Sequence, residues 1–303
     1  MNLYPGGRED QKGDTSFNLC LREGVVAIGW SRLNAHVRFN SAKRYFESAR
    51  VVFSSVYHAD ESRLEKWEKA FGYLNEIEKD DLVWTKRSKG HYYIDRIMDF
   101  EARPLRGEVY TESDFGCGRK CEWNAVVDDL EVPAEVKRDT RGTIHPIKDP
   151  TGKALALSEQ LYNELNGKEV YHPPELRGEL FDFLAPEDVE DIVGIFLQVK
   201  KNLLIVPSTS KQSASPVEFL MINRKTGVEV GTQVKTGNQA IKPDAYANGP
   251  ERIYFFQERG RPRDTLGKRG TLIQKDELAR FVMNNPRLLP GSIRRLVRKL
   301  KSS

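Results

Sequence analysis

The sequence predicts a mixed α/β chain, with helices and strands of α+β character, folded as two domains. Three observations carry that prediction. The chain has 303 residues, enough for two separate cores. Its second half holds a pair of strand-forming runs around a Gly-containing turn, from Val217 to Lys235. A helix-period segment from Pro186 to Lys200 precedes that pair and leads into the apolar run 202–207.

Taken in order, residues 1–16 are polar and Gly-rich and read as a flexible leader without a signal-peptide core. Residues 17–148 read as a strand-rich first domain. Gly24-Val-Val-Ala-Ile-Gly-Trp30 is a buried strand ending at an aromatic residue. Helical stretches follow at about 41–52 and 61–74. A hairpin comes next: Asp81-Leu-Val-Trp-Thr85, the basic turn Lys86-Arg87-Ser88-Lys89-Gly90, then His91-Tyr-Tyr-Ile-Asp-Arg-Ile97. Residues 149–170 read as a linker carrying a short helix at about 155–165, with an extended stretch at 171–174. Residues 171–303 form the second domain.

The helix at 186–200 is well marked. Pro186 suits the first helical position, and Glu187 and Asp188 suit the positive end of the helix dipole. Val189, Ile192, Val193, Phe196 and Val199 make its apolar stripe. At about 100° per residue, Asp191 points away from that stripe and Glu190 lies on its flank. The run Asn202-Leu-Leu-Ile-Val-Pro207 reads as a buried strand.

In the hairpin, paired positions have a constant sum. A two-residue loop at 225–226 gives 224 + 227 = 451, and a four-residue loop at 224–227 gives the same sum. Since 218 + 233 = 451, Glu218 then faces Gln233, with Cβ atoms about 5 Å apart. Alternation puts Lys235 on the same face and Val230, Thr232 and Val234 on the other. A three-residue loop would shift the sum to 452 and turn Glu218 toward Val234.

One carboxylate, one carboxamide and one lysine on a single face suit metal-assisted phosphodiester cleavage. A divalent ion polarises phosphate and activates water, and Mg²⁺ or Mn²⁺ takes oxygen ligands. Glu218 offers a charged oxygen, Gln233 a neutral one, and the Val234 carbonyl a further one. Lys235 offsets charge developing on phosphorus. An amphipathic hairpin with a polar solvent face would show the same spacing.

Glu218, a gap of fourteen residues, then Gln233-Val-Lys235 resembles the PD-(D/E)XK nuclease superfamily, in the Q-x-K variant of Mrr-like restriction endonucleases. The resemblance covers about 171–260. It implies a restriction-endonuclease-like core of helix, strand, hairpin and a further strand at Arg252-Ile-Tyr-Phe-Phe256. It also implies a fourth site residue, Glu190, on the preceding helix. Two departures stand out: the first acid is Glu rather than Asp, and Gln233 replaces the second.

The first domain, through "VVAIGW" and "DDLVWTKRSKGHYYIDRI", is similar to EVE and PUA-like domains, which implies a small β-barrel that holds a nucleobase. A flipped base needs aromatic walls. Trp30, Trp84, Tyr92, Tyr93 and Trp123 are the candidates, and Lys86, Arg87 and Lys89 are candidates for phosphate. The C-terminal Arg294-Arg295-Leu-Val-Arg-Lys-Leu-Lys301 carries five cations and no acid, and Arg294 and Arg295 are expected on nucleic-acid backbone.

Composition narrows the rest. No apolar run approaches the roughly 20 residues of a membrane helix. Three cysteines argue against a disulfide framework and for a reducing cytoplasm. The spacing Cys117 to Cys121 lacks the ligand pattern of structural zinc, with only Cys20 and His145 to complete a set. No phosphate-cradling Gly-rich loop is present. The net charge of +4 permits nucleic-acid binding without arguing for it. Together, the resemblances imply a modification-sensing DNA endonuclease of microbial restriction and antiviral defence, using Mg²⁺ or Mn²⁺. DNA is the expected partner, with room for a homodimer and for accompanying defence proteins. The alternatives are a degenerate, non-catalytic nucleic-acid binder and an RNA-binding processing factor.

Overall fold

Turn chemistry and apolar periodicity organise two units, residues 1–174 and 175–303. The computed structural model describes residues 12–86, 92–126, 129–138, 144–211, 217–237, 241, 246, 249–259 and 269–302. The predicted base or phosphate contacts Arg87 and Lys89 lie outside these residues. No helix among the described residues is long and apolar enough to cross a membrane.

The first unit comprises α1 Lys12–Glu23, β1 Val25–Ile28, α2 Ala42–Tyr57, α3 Glu61–Glu76, β2 Leu82–Lys86, β3 Tyr92–Ile97, β4 Arg103–Pro104, α4 Glu108–Glu112, β5 Cys117–Val126, α5 Ala134–Arg138 and α6 Lys153–Asn166. The leader expected to 16 is helical from Lys12, because Phe17, Leu19 and Cys20 bury one side of α1. The strand path is β1-β5-β3-β2, with β4 also on β5, and every pairing is antiparallel. Among the described residues this is an open path, where a small β-barrel was expected.

Strand β5 is the centre of the sheet and escaped the sequence reading because polar residues run through it. Arg119 is one of them and is fully buried. Its guanidinium donates to the Asp99 carboxylate (2.7 Å) and to the carbonyls of Leu74, Ile77 and Asp99. Burying a cation is tolerable only with such complete pairing. Helices α2 and α3 pack Tyr45, Phe46, Phe53, Trp67 and Phe71 into one aromatic layer. Truncating Trp67 to Ala would cost about 3–5 kcal/mol. The 149–170 segment, expected as a linker with a short helix at about 155–165, carries α6, which packs on the sheet. Trp84 Nε1 donates to Ser158 Oγ, and Tyr162 donates to Glu122.

The second unit comprises α7 Pro186–Lys201, β6 Leu203–Ile205, β7 Phe219–Asn223, β8 Glu229–Lys235, β9 Arg252–Gln257, β10 Gly270–Leu272, α8 Lys275–Asn284 and α9 Gly291–Ser302. Its sheet runs β10-β9-β8-β7-β6. Pairings from β6 to β8 are antiparallel, and those from β8 to β10 are parallel. Strand β6 is therefore an edge, with Leu204 50% exposed, and not the buried strand its apolar run suggested. Helix α7 buries Val189, Ile192, Val193, Phe196 and Leu197. Val199, expected in that stripe, is exposed, and Leu197 takes its place. Gly194 lets the sheet approach, since a Cβ there would stand 2.9 Å from Ile205 Cδ1.

Candidate active site

Site geometry begins at the turn. Asn223 N–H donates to the Val228 carbonyl, so the loop is the four residues 224–227. The Asn223 side chain accepts from the N–H groups of Lys225 and Thr226, and Gly227 takes the left-handed φ of 70°. That conformation favours glycine and closes a four-residue loop. The ladder that follows has Phe219 opposite Thr232 and Met221 opposite Val230, each pair summing to 451. The expected parity is present.

Glu218 lies just beyond the ladder. Its N–H donates to Thr232 O at 2.9 Å, a sum of 218 + 232 = 450, one short of the register. Such an offset at a sheet end re-aims a side chain. Gln233 Nε2 donates to Glu218 Oε1 (2.5 Å) and to the Val234 carbonyl (3.1 Å). Lys235 Nζ stands 3.6 Å from Glu218 Oε1. Gln233 is buried, while Glu218 and Lys235 are about 30% exposed, so the trio opens to solvent at its charged members. Behind it, Leu220, Ile253, Phe255 and Leu272 form an apolar floor with Tyr246 and Ile241.

Glu190 joins the group from α7. Burial, then the charges of Glu218, Glu187 and Asp191, push its carboxyl up to about 7 from 4.5, and Lys235 pulls it back. Glu190, Glu218 and Lys235 thus share one electrostatic environment. Asp188 has a separate role: its carboxylate accepts the Ala185 N–H at 3.0 Å and caps α7.

Two residues of this site were not legible from spacing. Glu258 follows β9, donates its N–H to the Lys235 carbonyl, and accepts the Gly237 N–H at 2.8 Å. It pins the end of β8 that carries Lys235. Tyr246 is buried, and burial followed by the Glu218 charge raises its phenol. A polar residue closing an apolar strand was the available signal for Glu258. Tyr246 had none.

Among the described residues, no three His, Cys, Asp or Glu side chains cluster to hold a metal. The donor set is two carboxylates, one carboxamide and one carbonyl. All are oxygen donors of the kind a hard divalent cation takes, and the Glu190 carboxyl, raised first by burial and then by the Glu218, Glu187 and Asp191 charges, is one whose charged form a cation would favour. The Gln233 amide N–H groups reach two of those oxygens, Glu218 Oε1 and Val234 O. The residues fit a divalent ion once the Gln233 amide turns its oxygen inward.

The other predicted contacts are dispersed. Trp84 and Tyr92 are 1% and 3% exposed and belong to a core cluster with Ile94, Leu161 and Tyr162, which corrects their expected place on a base. Trp84 also edges a cavity of about 370 Å³. Tyr93 is half-buried, in edge contact with Phe17 and Trp123. Lys86 Nζ sits 5.0 Å over the Tyr92 ring. Trp30 is half-buried with a left-handed backbone, φ 71°. Arg295 is 2% exposed and cannot grip a nucleic-acid backbone as placed, because α9 turns that side inward with Leu296. Arg294 is half-buried.

No protein-family model matches this chain, and no curated protein does. One solved structure is similar. The DNA modification-dependent restriction endonuclease AspBHI aligns at 13% identity over 73% of this chain and 68% of its own, with a TM-score of 0.21.

Proposed function

We propose that this protein is a metal-dependent DNA endonuclease that senses modified bases. Its second unit hydrolyses the phosphodiester and its first unit reads the nucleic acid. The observation that carries the reading is the meeting of Glu218, Gln233 and Lys235 on one side of the β7–β8 hairpin, with Glu190 in electrostatic range.

Glu218 and Glu190 would hold Mg²⁺ or Mn²⁺ with the Gln233 and Val234 oxygens. When bound, the ion polarises the phosphate and lowers the pKa of an attacking water. Lys235 holds that water or the phosphate oxygens and offsets their growing charge. Water oxygen bonds to phosphorus and gives one proton to solvent, the leaving P–O bond breaks, and the departing oxygen takes a proton from solvent.

The test is incubation with Mg²⁺ or Mn²⁺ and unmodified, methylated, hydroxymethylated and glucosylated DNA, with Lys235→Ala alongside. Cutting that needs both metal and Lys235 is expected. Cutting that survives Lys235→Ala would sink the assignment.

A second reading has one observation in its favour. Gln233 presents N–H groups to Glu218 and Val234, which suits a degenerate site that binds nucleic acid without metal. Calorimetry with Mg²⁺ or Mn²⁺ separates the two. Heat that disappears in Glu218→Gln belongs to the nuclease, and no heat in the parent belongs to the degenerate binder.

A further inference from the structure

The first unit contains a cationic hollow that the nuclease site does not use. It begins at a backbone outlier. Trp30 adopts φ 71° and ψ 42°, the left-handed region that a bulky residue rarely occupies. The surroundings enforce it. Ser31 N–H and Oγ both donate to Asp114 Oδ1 at 3.0 Å, and Arg32 N–H donates to the Tyr57 phenol oxygen at 3.1 Å. Gly116 N–H donates to the carbonyls of Ile28 and Gly29. A Cβ at Gly116 would stand 2.5 Å from Gly29 O, so only glycine permits the approach.

Such strain aims the residues that follow it. Ser31, Arg32, Tyr57, Arg63, Thr111 and Asp114 line a hollow of about 510 Å³. An adjoining hollow of about 450 Å³ shares Ser31, Arg32 and Thr111 and adds His36 and Arg106. Trp30 lines neither.

The hydrogen-bonding capacity of the first hollow is lopsided. Asp114 has one oxygen committed to Ser31. Arg106 is committed to the carbonyls of Asn34 and Val37. Arg32 and Arg63 are exposed, and among the described residues neither guanidinium lies within salt-bridge distance of a carboxylate. The Arg63 guanidinium carbon lies 5.8 Å from the centre of the Tyr57 ring. Tyr57 accepts from Arg32 N–H, so its own proton is left to donate. Burial, then the Asp114 charge, raises this phenol, which keeps that proton in place at neutral pH. Two uncommitted guanidinia and a phenol face one remaining carboxylate oxygen. That surplus of donors calls for an anion rich in oxygen, and guanidinium forks match phosphate.

We propose that this hollow seats a backbone phosphate of a nucleic-acid strand, held by Arg32, Arg63 and the Tyr57 hydroxyl. The assignment rests on the reading that the chain acts on DNA, and it places a backbone-gripping site on the first unit. Phosphate contacts of this kind fix register and leave sequence to other residues.

Binding of a fluorescein-labelled duplex to the full chain, followed by anisotropy without divalent metal across about 50–200 mM salt, tests it. The double variant Arg32→Gln/Arg63→Gln is expected to bind about tenfold or more weakly. Its log–log salt slope should fall by about 0.9, the value for one lost phosphate contact. Lys69→Gln, a cation on α3 stacked over Tyr73, serves as the charge control and should change the slope far less. Melting temperatures confirm that each variant folds. Binding by the parent with an unchanged slope in the double variant overturns this site and leaves the DNA reading standing. Absence of duplex binding by every version removes that reading, and this site with it. Inorganic phosphate that raises the parent's melting temperature but not the double variant's, with duplex affinity unchanged, also overturns the nucleic-acid assignment.

Discussion

Glu190 titrates near neutral pH because burial and three neighbouring carboxylates oppose its charge. Its folded-state value, about 7, lies above the usual 4.5, so the native state binds more protons than the unfolded chain between them. Stability is therefore full below about 4.5 and is lost as pH rises through about 7. Glu190→Gln removes that cost. It is expected to raise the metal-free melting temperature by about 2–4 °C above pH 7, with the gap closing in acid, while cutting is lost. An unchanged melting curve at all pH values would contradict this. Asp95 obeys the same sign. It is fully buried and, among the described residues, takes one hydrogen bond from Thr85 Oγ1 and leaves Oδ1 without a partner. Burial lifts its carboxyl well above 3.8. Asp95→Asn should be more stable than the parent at neutral pH, and the parent should catch up as pH falls toward 3.8. Denaturant midpoints across that range read the difference.

At the scale of elements, the β7–β8 hairpin was legible because two physical constraints agree. Asn223 and Gly227 specify the turn, and strict alternation then assigns each side chain a face. The rest was less legible for equally physical reasons. The run Leu203-Leu204-Ile205 is apolar, yet sequence alone does not separate a central strand from the edge it forms. Strand β5 looked unlike a strand because Arg119 is paid for by partners as distant in sequence as Leu74. Aromatic residues were read as open walls at Trp84 and Tyr92, where α6 covers them. Glu258 acts through main-chain bonds that no spacing encodes. Parity itself is testable. Deleting Lys225 alone leaves an odd count between the strands; re-pairing around a two-residue loop at 226–227 sets 224 opposite 228, turns Glu218 toward Val234, and should abolish metal-dependent cutting while circular dichroism is retained. Deleting Lys225 and Thr226 together restores the even count and should restore cutting to within about tenfold of the parent. Equal activity in the two deletions would show that the register does not set the site.

At the scale of the whole chain, each unit has its own sheet and its own apolar clusters. One is built on Phe53, Trp67 and Phe71, and the other has Val217, Ile253 and Phe255 at its floor. Separate cores of this size unfold cooperatively within themselves, and a two-domain chain departs from a single two-state transition. Calorimetry is therefore expected to resolve two heat-absorption peaks. The residue-scale variants assign them. Asp95 lies on β3, so Asp95→Asn should raise one peak at neutral pH and leave the other in place. Glu190 lies on α7, so Glu190→Gln should raise the second peak alone, and a divalent ion that ligates Glu218 should raise that same peak in the parent through mass action. Mg²⁺ or Mn²⁺ that moves the Asp95-sensitive peak instead would put the metal in the first unit, away from Glu218. A single peak shifted by both substitutions would mean that the two cores unfold as one.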